Sequence, residues 1–148
     1  MKILCANVGS TSFKYEILDL DHSISIMKGN VERIGNYPSY FTHAGPSGTP
    51  VTGEIDVPDH SMAIQHAIAQ IGDLSELAGV GFKTVFGKGI WRSALINEKV
   101  IQALVDYIPL APLHNPAYIA SIRAFQGLLP KMPLVAVFET WYHQTIPD

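Results

Sequence analysis

The chain has 148 residues, of which 47% are hydrophobic and only 16% charged, against a usual charged share of about 25%. That much apolar surface excludes intrinsic disorder, and the sparse charge points to a surface partly covered by another domain or subunit. A net charge of -3 leaves no basic stripe to hold a nucleic-acid backbone.

The apolar runs, residues 134–138 among them, fall far short of the ~20 residues a membrane-spanning helix needs. Residues 3–6 are too short for a signal-peptide core. Cys5 is the single cysteine, so no internal disulfide forms, and a reducing, cytoplasmic location is expected.

Residues 2–8 are nearly all apolar and read as a buried strand, and Gly9-Ser10-Thr11-Ser12 reads as a turn. Residues 13–20 then alternate, with Phe13, Tyr15 and Ile17 assigned to one side and Lys14, Glu16 and Asp19 to the other. Asp21-His22 is a second turn and residues 23–34 a third strand. Residues 35–58 are rich in Gly, Pro, Ser, Asn and Thr and read as a loop excursion, with room for short strands at 40–43 and near 51–55.

From Asp59 the period changes. Ile64, Ala67, Ile68 and Ile71 share one helical face, with Asp59 or Ser61 as N-cap. Residues 78–86 are a strand. Asn97 caps a helix whose apolar face is Val100, Ile101, Leu104, Val105 and Ile108, ended by Pro109. Asn115-Pro116 predicts a further helix start, asparagine at the N-cap and proline at the first helical position. Residues 134–139 close the sequence of elements as a buried strand. Three meandering strands followed by alternating helices and strands predict an α/β fold of the ribonuclease H-like type. Its core would be a mixed five-stranded sheet with helices on its faces.

Several motifs fail. The stretch GFKTVFGKG, residues 81–89, imitates a phosphate loop, but its glycine spacing is one residue too long and Gly89 stands where a magnesium-binding Ser or Thr belongs. His22, His43, His60, His66, His114 and His143 show no zinc-site spacing. A two-metal nuclease needs a carboxylate on the first strand, where Asn7 sits.

Four elements carry chemistry. Asn7, Gly9, Ser10, Ser12 and Lys14 lie across the first hairpin. Its turn can present backbone N–H groups as a phosphate nest, with two hydroxyls, one ammonium, and Asn7 supporting a magnesium water shell. The same composition also makes an ordinary hairpin turn. His114 lies between two stiffening prolines, Pro112 and Pro116, at a helix start where the dipole favours an anion. It can donate to a phosphoryl oxygen, or simply pack there. Glu139 ends a buried strand, the end at which ligands gather in open α/β sheets; it holds magnesium or substrate, or is a surface carboxylate. Lys83 and Val85 share a strand face, and with Leu113 they suit a carboxylate with a short aliphatic tail; the plainer alternative is an exposed edge-strand lysine.

Taken together these segments resemble the N-terminal domain of the acetate and propionate kinase family. MKILCANVGSTSFKYEILDL resembles its first strands and phosphate hairpin, LAPLHNPA its central histidine motif, and VAVFETWYHQTIP its domain-end signature, in the right order across essentially the whole chain. The resemblance implies one lobe of an actin-like, sugar-kinase-superfamily fold and phosphoryl transfer from ATP with Mg2+ to a short-chain carboxylate. It assigns Asn7, Ser10, Ser12 and Lys14 to the phosphate and metal side, and His114 to the transferring phosphoryl group. Val85 and Leu113 fall to the substrate tail, and Lys83 and Glu139 to the catalytic centre.

Three departures stand out. Lys83 replaces the family's arginine, Glu139 its aspartate, and Phe82 and Phe86 its histidines. Lysine cannot grip a carboxylate with two parallel donors. The Lys83 and Glu139 changes keep both charges and shift length in opposite senses, as a compensated pair would. Family members are more than twice this length. Their second lobe holds the adenosine pocket, so this chain is expected to be a single N-terminal lobe, inactive alone and completed by a second lobe in cis or in trans, with a homodimer compatible with either. The alternative is a standalone or degenerate module that binds phosphate or carboxylate without catalysis.

Overall fold

The computed structural model describes residues 1–143 and 145. Gln144, which belongs to the expected domain-end signature, lies outside them, as do residues 146–148. In chain order the strands are β1 (Lys2–Val8), β2 (Ser12–Asp19), β3 (Ile24–Glu32), β4 (Ser39–Ala44), β5 (Pro50–Ile55), β6 (Leu77–Thr84), β7 (Ala94–Leu95) and β8 (Leu134–Phe138). The helices are α1 (His60–Ile71) between β5 and β6, and α2 (Glu98–Asp106) and α3 (Asn115–Leu128) between β7 and β8. A short 3-10 helix, Glu139–His143, follows β8.

All strands join one mixed sheet in the order β5-β4-β3-β2-β1-β6-β8-β7. The left part is an antiparallel meander; β1, β6 and β8 are parallel to one another. The sheet therefore has eight strands rather than five. The Gly- and Pro-rich excursion supplies a full hairpin, β4 and β5, whose short polar strands sit at an edge where they need no apolar run. The two-residue β7 is too short to leave a periodic signature.

Alternation gives the sheet two unlike faces. Leu4, Ala6 and Val8 of β1 line up with Ile17, Tyr15 and Phe13 of β2, and with Val80 and Phe82 of β6, in one buried core. Helices α1 and α3 pack on this face and α2 packs on α3. The strand number is thus one correction, and Asp19 is a second: it shares parity with Ile17 and is buried, accepting from the Asp21 N–H at 3.0 Å and pairing with His22 at 2.7 Å.

The helix starts follow the capping rules in two cases. Asp59 Oδ1 accepts from Met62 N–H at 2.9 Å, and Asn97 Oδ1 accepts from Lys99 and Val100 at 2.9 and 3.2 Å. Helix α2 stops at Asp106 and leaves Ile108 outside, because the residue before a proline avoids helical backbone. Val105, on the expected apolar face, is 38% exposed. The third start differs. His114, not Asn115, holds the N-cap position, and its side chain makes no capping bond. Asn115 is fully buried and donates from Nδ2 to the Leu104 carbonyl at 2.8 Å. A buried amide here does more by satisfying a carbonyl at the end of α2 than by capping its own helix.

Candidate functional site

The parallel strands β1, β6 and β8 end side by side at Val8, Thr84 and Phe138. The segments that follow them gather at that end: the turn at residues 9–11, Val85, and Glu139. Residues 129–133 join the end of α3 to the start of β8, so the opposite end of α3, with His114, returns toward the strand C-termini.

The β1–β2 turn is held by its carbonyls. Gly9 N–H donates to Ser12 O at 2.8 Å, His60 Nε2 donates to Gly9 O at 2.7 Å, and Ile34 N–H donates to Thr11 O at 3.0 Å. The N–H groups of Ser10 and Thr11 take part in no hydrogen bond among the described residues. A turn with carbonyls tied down and N–H groups unspent is an anion-binding arrangement. Ser12 Oγ lies over Gly9, where an added Cβ would approach it to 2.6 Å. A side chain at Gly9 would make that hydroxyl shift.

On the open face, Asn7 stands in register with Lys14 on β2 and Lys83 on β6. It is flanked across the sheet by two lysines. Lys83 Nζ lies 2.9 Å from Glu139 Oε1, with both side chains about half exposed. Lys83 pairs with Val137 on β8, so Glu139 is one diagonal step away, within reach of a long side chain. The two departures from the family pattern therefore contact each other.

His114 is exposed, and its ring stacks on Tyr118 with centroids 6.2 Å apart and planes 24° from parallel. Tyr118 is buried. Burial, with the Glu139 charge adding to it, pushes its phenol up to about 12. Tyr118 thus stacks on the histidine and also feels the Glu139 charge. The sequence reading missed it, although a position four residues after His114 lies on the same helical face. His60 was also missed; its partner is a backbone carbonyl, which leaves no sequence signal.

The remaining candidates are less gathered. Strand β6 stops at Thr84, so Val85 lies beyond it and packs half-buried against the core, not on the face of Lys83. Leu113 is 70% exposed in the turn before α3. Phe82 is fully buried edge-on against Phe125 at 5.3 Å, and Phe86 meets Tyr107 at 5.8 Å. Both phenylalanines are packing residues. Among the described residues no three His, Cys, Asp or Glu side chains are grouped to hold a metal, and no helix is long and apolar enough to cross a membrane.

Residues 2–148 match the family model described as the acetokinase family. The chain belongs to that family. It is 43% identical over 157 aligned positions to acetate kinase of Caldanaerobacter subterraneus subsp. tengcongensis, covering 100% of this chain and 39% of that protein. Over 156 positions it is 42% identical to acetate kinase of Desulfitobacterium hafniense, covering 99% of this chain and 39% of that one. The solved acetate kinase of Porphyromonas gingivalis superposes with a TM-score of 0.89 at 34% identity, over 99% of this chain and 39% of that one. A Francisella tularensis propionate kinase superposes with a TM-score of 0.86 at 29% identity, over 99% and 38%. The chain thus spans about two fifths of the length of these acetokinase relatives, matching their N-terminal part.

Proposed function

We propose that this chain is the N-terminal lobe of a short-chain carboxylate kinase, completed by a second lobe in cis or in trans. The reaction is attack of a carboxylate oxygen on the γ-phosphorus of ATP, with release of ADP and formation of an acyl phosphate. The observation that carries the reading is the convergence, in an acetokinase-family chain, of an unspent N–H turn, two lysines and the His114–Tyr118 pair at the C-terminal ends of three parallel strands.

In this reading Ser10, Ser12 and the turn N–H groups cradle phosphate oxygens, and Lys14 adds a point charge. His114 donates a hydrogen bond to the phosphoryl group as charge redistributes over its oxygens. Lys83 attracts the substrate carboxylate, and Glu139 aims its ammonium. Val85 and Leu113 meet the tail once the second lobe closes the site. Magnesium held mainly by phosphates and water needs only one or two protein oxygens. Asn7 and Glu139 offer these, whereas two flanking lysines disfavour a bare cation at Asn7. When bound, the metal neutralises charge on the transferring group. ATP and the acid belong to the cytoplasm, where we place the protein.

Titrating the purified chain with acetyl phosphate, followed by phosphorus NMR, tests the phosphate side. Saturable binding that Lys14→Ala weakens about tenfold is expected, one charge-assisted contact being worth about that much. Binding unchanged by Lys14→Ala and by Ser12→Ala together would remove the hairpin from the site.

A further inference from the structure

Antiparallel pairing of Ala94 with Ala136 runs the chain before β7 alongside the chain after β8. This brings Arg92 onto the 3-10 helix that begins at Glu139. Its guanidinium carbon lies 4.7 Å from the centroid of the Trp141 ring. Trp91, 64% exposed, faces the same cleft of about 320 Å3, with Thr140 and His143. That is the small end of the roughly 300–1,000 Å3 range of ligand sites. None of the residues that carry the kinase reading lines it.

Each wall has a definite chemistry. A guanidinium lying over an indole gives up hydration on one face but keeps its edge N–H groups for a planar, bidentate acceptor. The indoles favour a flat apolar group and offer little to a methyl. Glu139, next in the chain to Thr140, is engaged by Lys83 at 2.9 Å, which blunts repulsion of an anion. Thr140 adds a hydroxyl.

We propose that the cleft lined by Trp91, Arg92 and Trp141 is a binding site for a small planar carboxylate carried on an aromatic or conjugated frame. The site uses other residues than the phosphoryl-transfer cluster and stands whether or not the kinase reading holds. Its ligand enters with the carboxylate on the Arg92 edge and the ring against the indoles.

Trp91 and Trp141 are the chain's two tryptophans, so its indole signals report on this cleft alone. The purified chain is titrated with benzoate, benzamide and cyclohexanecarboxylate while tryptophan fluorescence and the two indole N–H proton resonances are followed. Benzoate is expected to give a saturable change in both readouts. The uncharged planar amide and the charged non-planar acid are each expected to bind about tenfold more weakly or worse. Arg92→Lys, which keeps the charge and loses the planar fork, is expected to weaken benzoate by a similar factor with an unchanged circular dichroism spectrum. Absence of a saturable response to benzoate, equal binding of benzamide, or unaltered affinity in Arg92→Lys would each overturn the assignment.

Discussion

Replacing Asn115 with alanine should loosen the start of α3 without touching the phosphate hairpin. Asn115 is fully buried, and its Nδ2 donates to the Leu104 carbonyl at 2.8 Å, joining the end of α2 to the first turn of α3. Losing a buried hydrogen bond of this kind costs about 1–3 kcal/mol. The Oδ1 of the same side chain has no partner, so its removal offsets part of that cost. The Leu104 carbonyl also keeps the Tyr107 N–H at 3.2 Å. A net loss of roughly 2 kcal/mol follows, which for a chain of this size lowers the melting temperature by roughly 4–8 °C. The assay is thermal unfolding by circular dichroism, with the His114 imidazole resonances read in parallel. Those resonances should broaden or shift, because His114 is fixed only by the backbone that Asn115 anchors and by stacking on Tyr118. A loss below about 0.5 kcal/mol, typical of an ordinary surface substitution, would refute the view that this amide sets the start of α3.

Gly29→Ala would drive a methyl group into the Tyr15 ring. It should destabilise by roughly 1–3 kcal/mol, break the 2.7 Å Tyr15–His43 hydrogen bond, and lower the Tyr15 phenol from about 12 as its ring leaves the interior; an ultraviolet titration reads this. His66 is held below its usual 6.5 by burial, and its Nε2 has no partner. As pH falls below 6.5 the unfolded chain therefore takes up a proton that the folded chain refuses, so stability should fall with pH in that window. His66→Gln should flatten this dependence in denaturant unfolding measured between pH 7.5 and about 5.5, and equal slopes would contradict it. In the protein completed by a second lobe, Lys83→Arg alone should not raise activity, whereas Lys83→Arg with Glu139→Asp should; a full gain from the single change would show that the two sites are uncoupled.

The alternation of β1 and β2, the apolar stripes of α1 and α2, and the Asn97 cap were legible because each is a local pattern with a fixed period. Turn chemistry at residues 9–12 and the run before Glu139 marked the candidate site for the same reason. What escaped was non-local. Short strands at 40–43 and near 51–55 were legible, but not their pairing into a hairpin that extends the sheet. Asn115 looks like a cap in sequence and becomes a core hydrogen-bonding group only once α2 stands beside it. The Lys83–Glu139 contact joins β6 to the residue that follows β8, two strands whose adjacency the sequence did not reveal. Tyr118 carried a signal, its helical spacing from His114, but aromatic residues at such spacing are usually core, and this one is core as well as neighbour to the site.

The most direct test of the central claim joins this chain to the second lobe of the Caldanaerobacter acetate kinase and measures acyl-phosphate formation by hydroxamate trapping. The account predicts negligible turnover by the isolated chain, clear turnover by the fusion with acetate or propionate and ATP-Mg, and a loss of about a hundredfold or more in the fusion carrying His114→Ala. Turnover by the isolated chain would contradict the requirement for a second lobe. A folded fusion that makes no acyl phosphate, or one indifferent to His114→Ala, would contradict the assignment of this lobe to phosphoryl transfer.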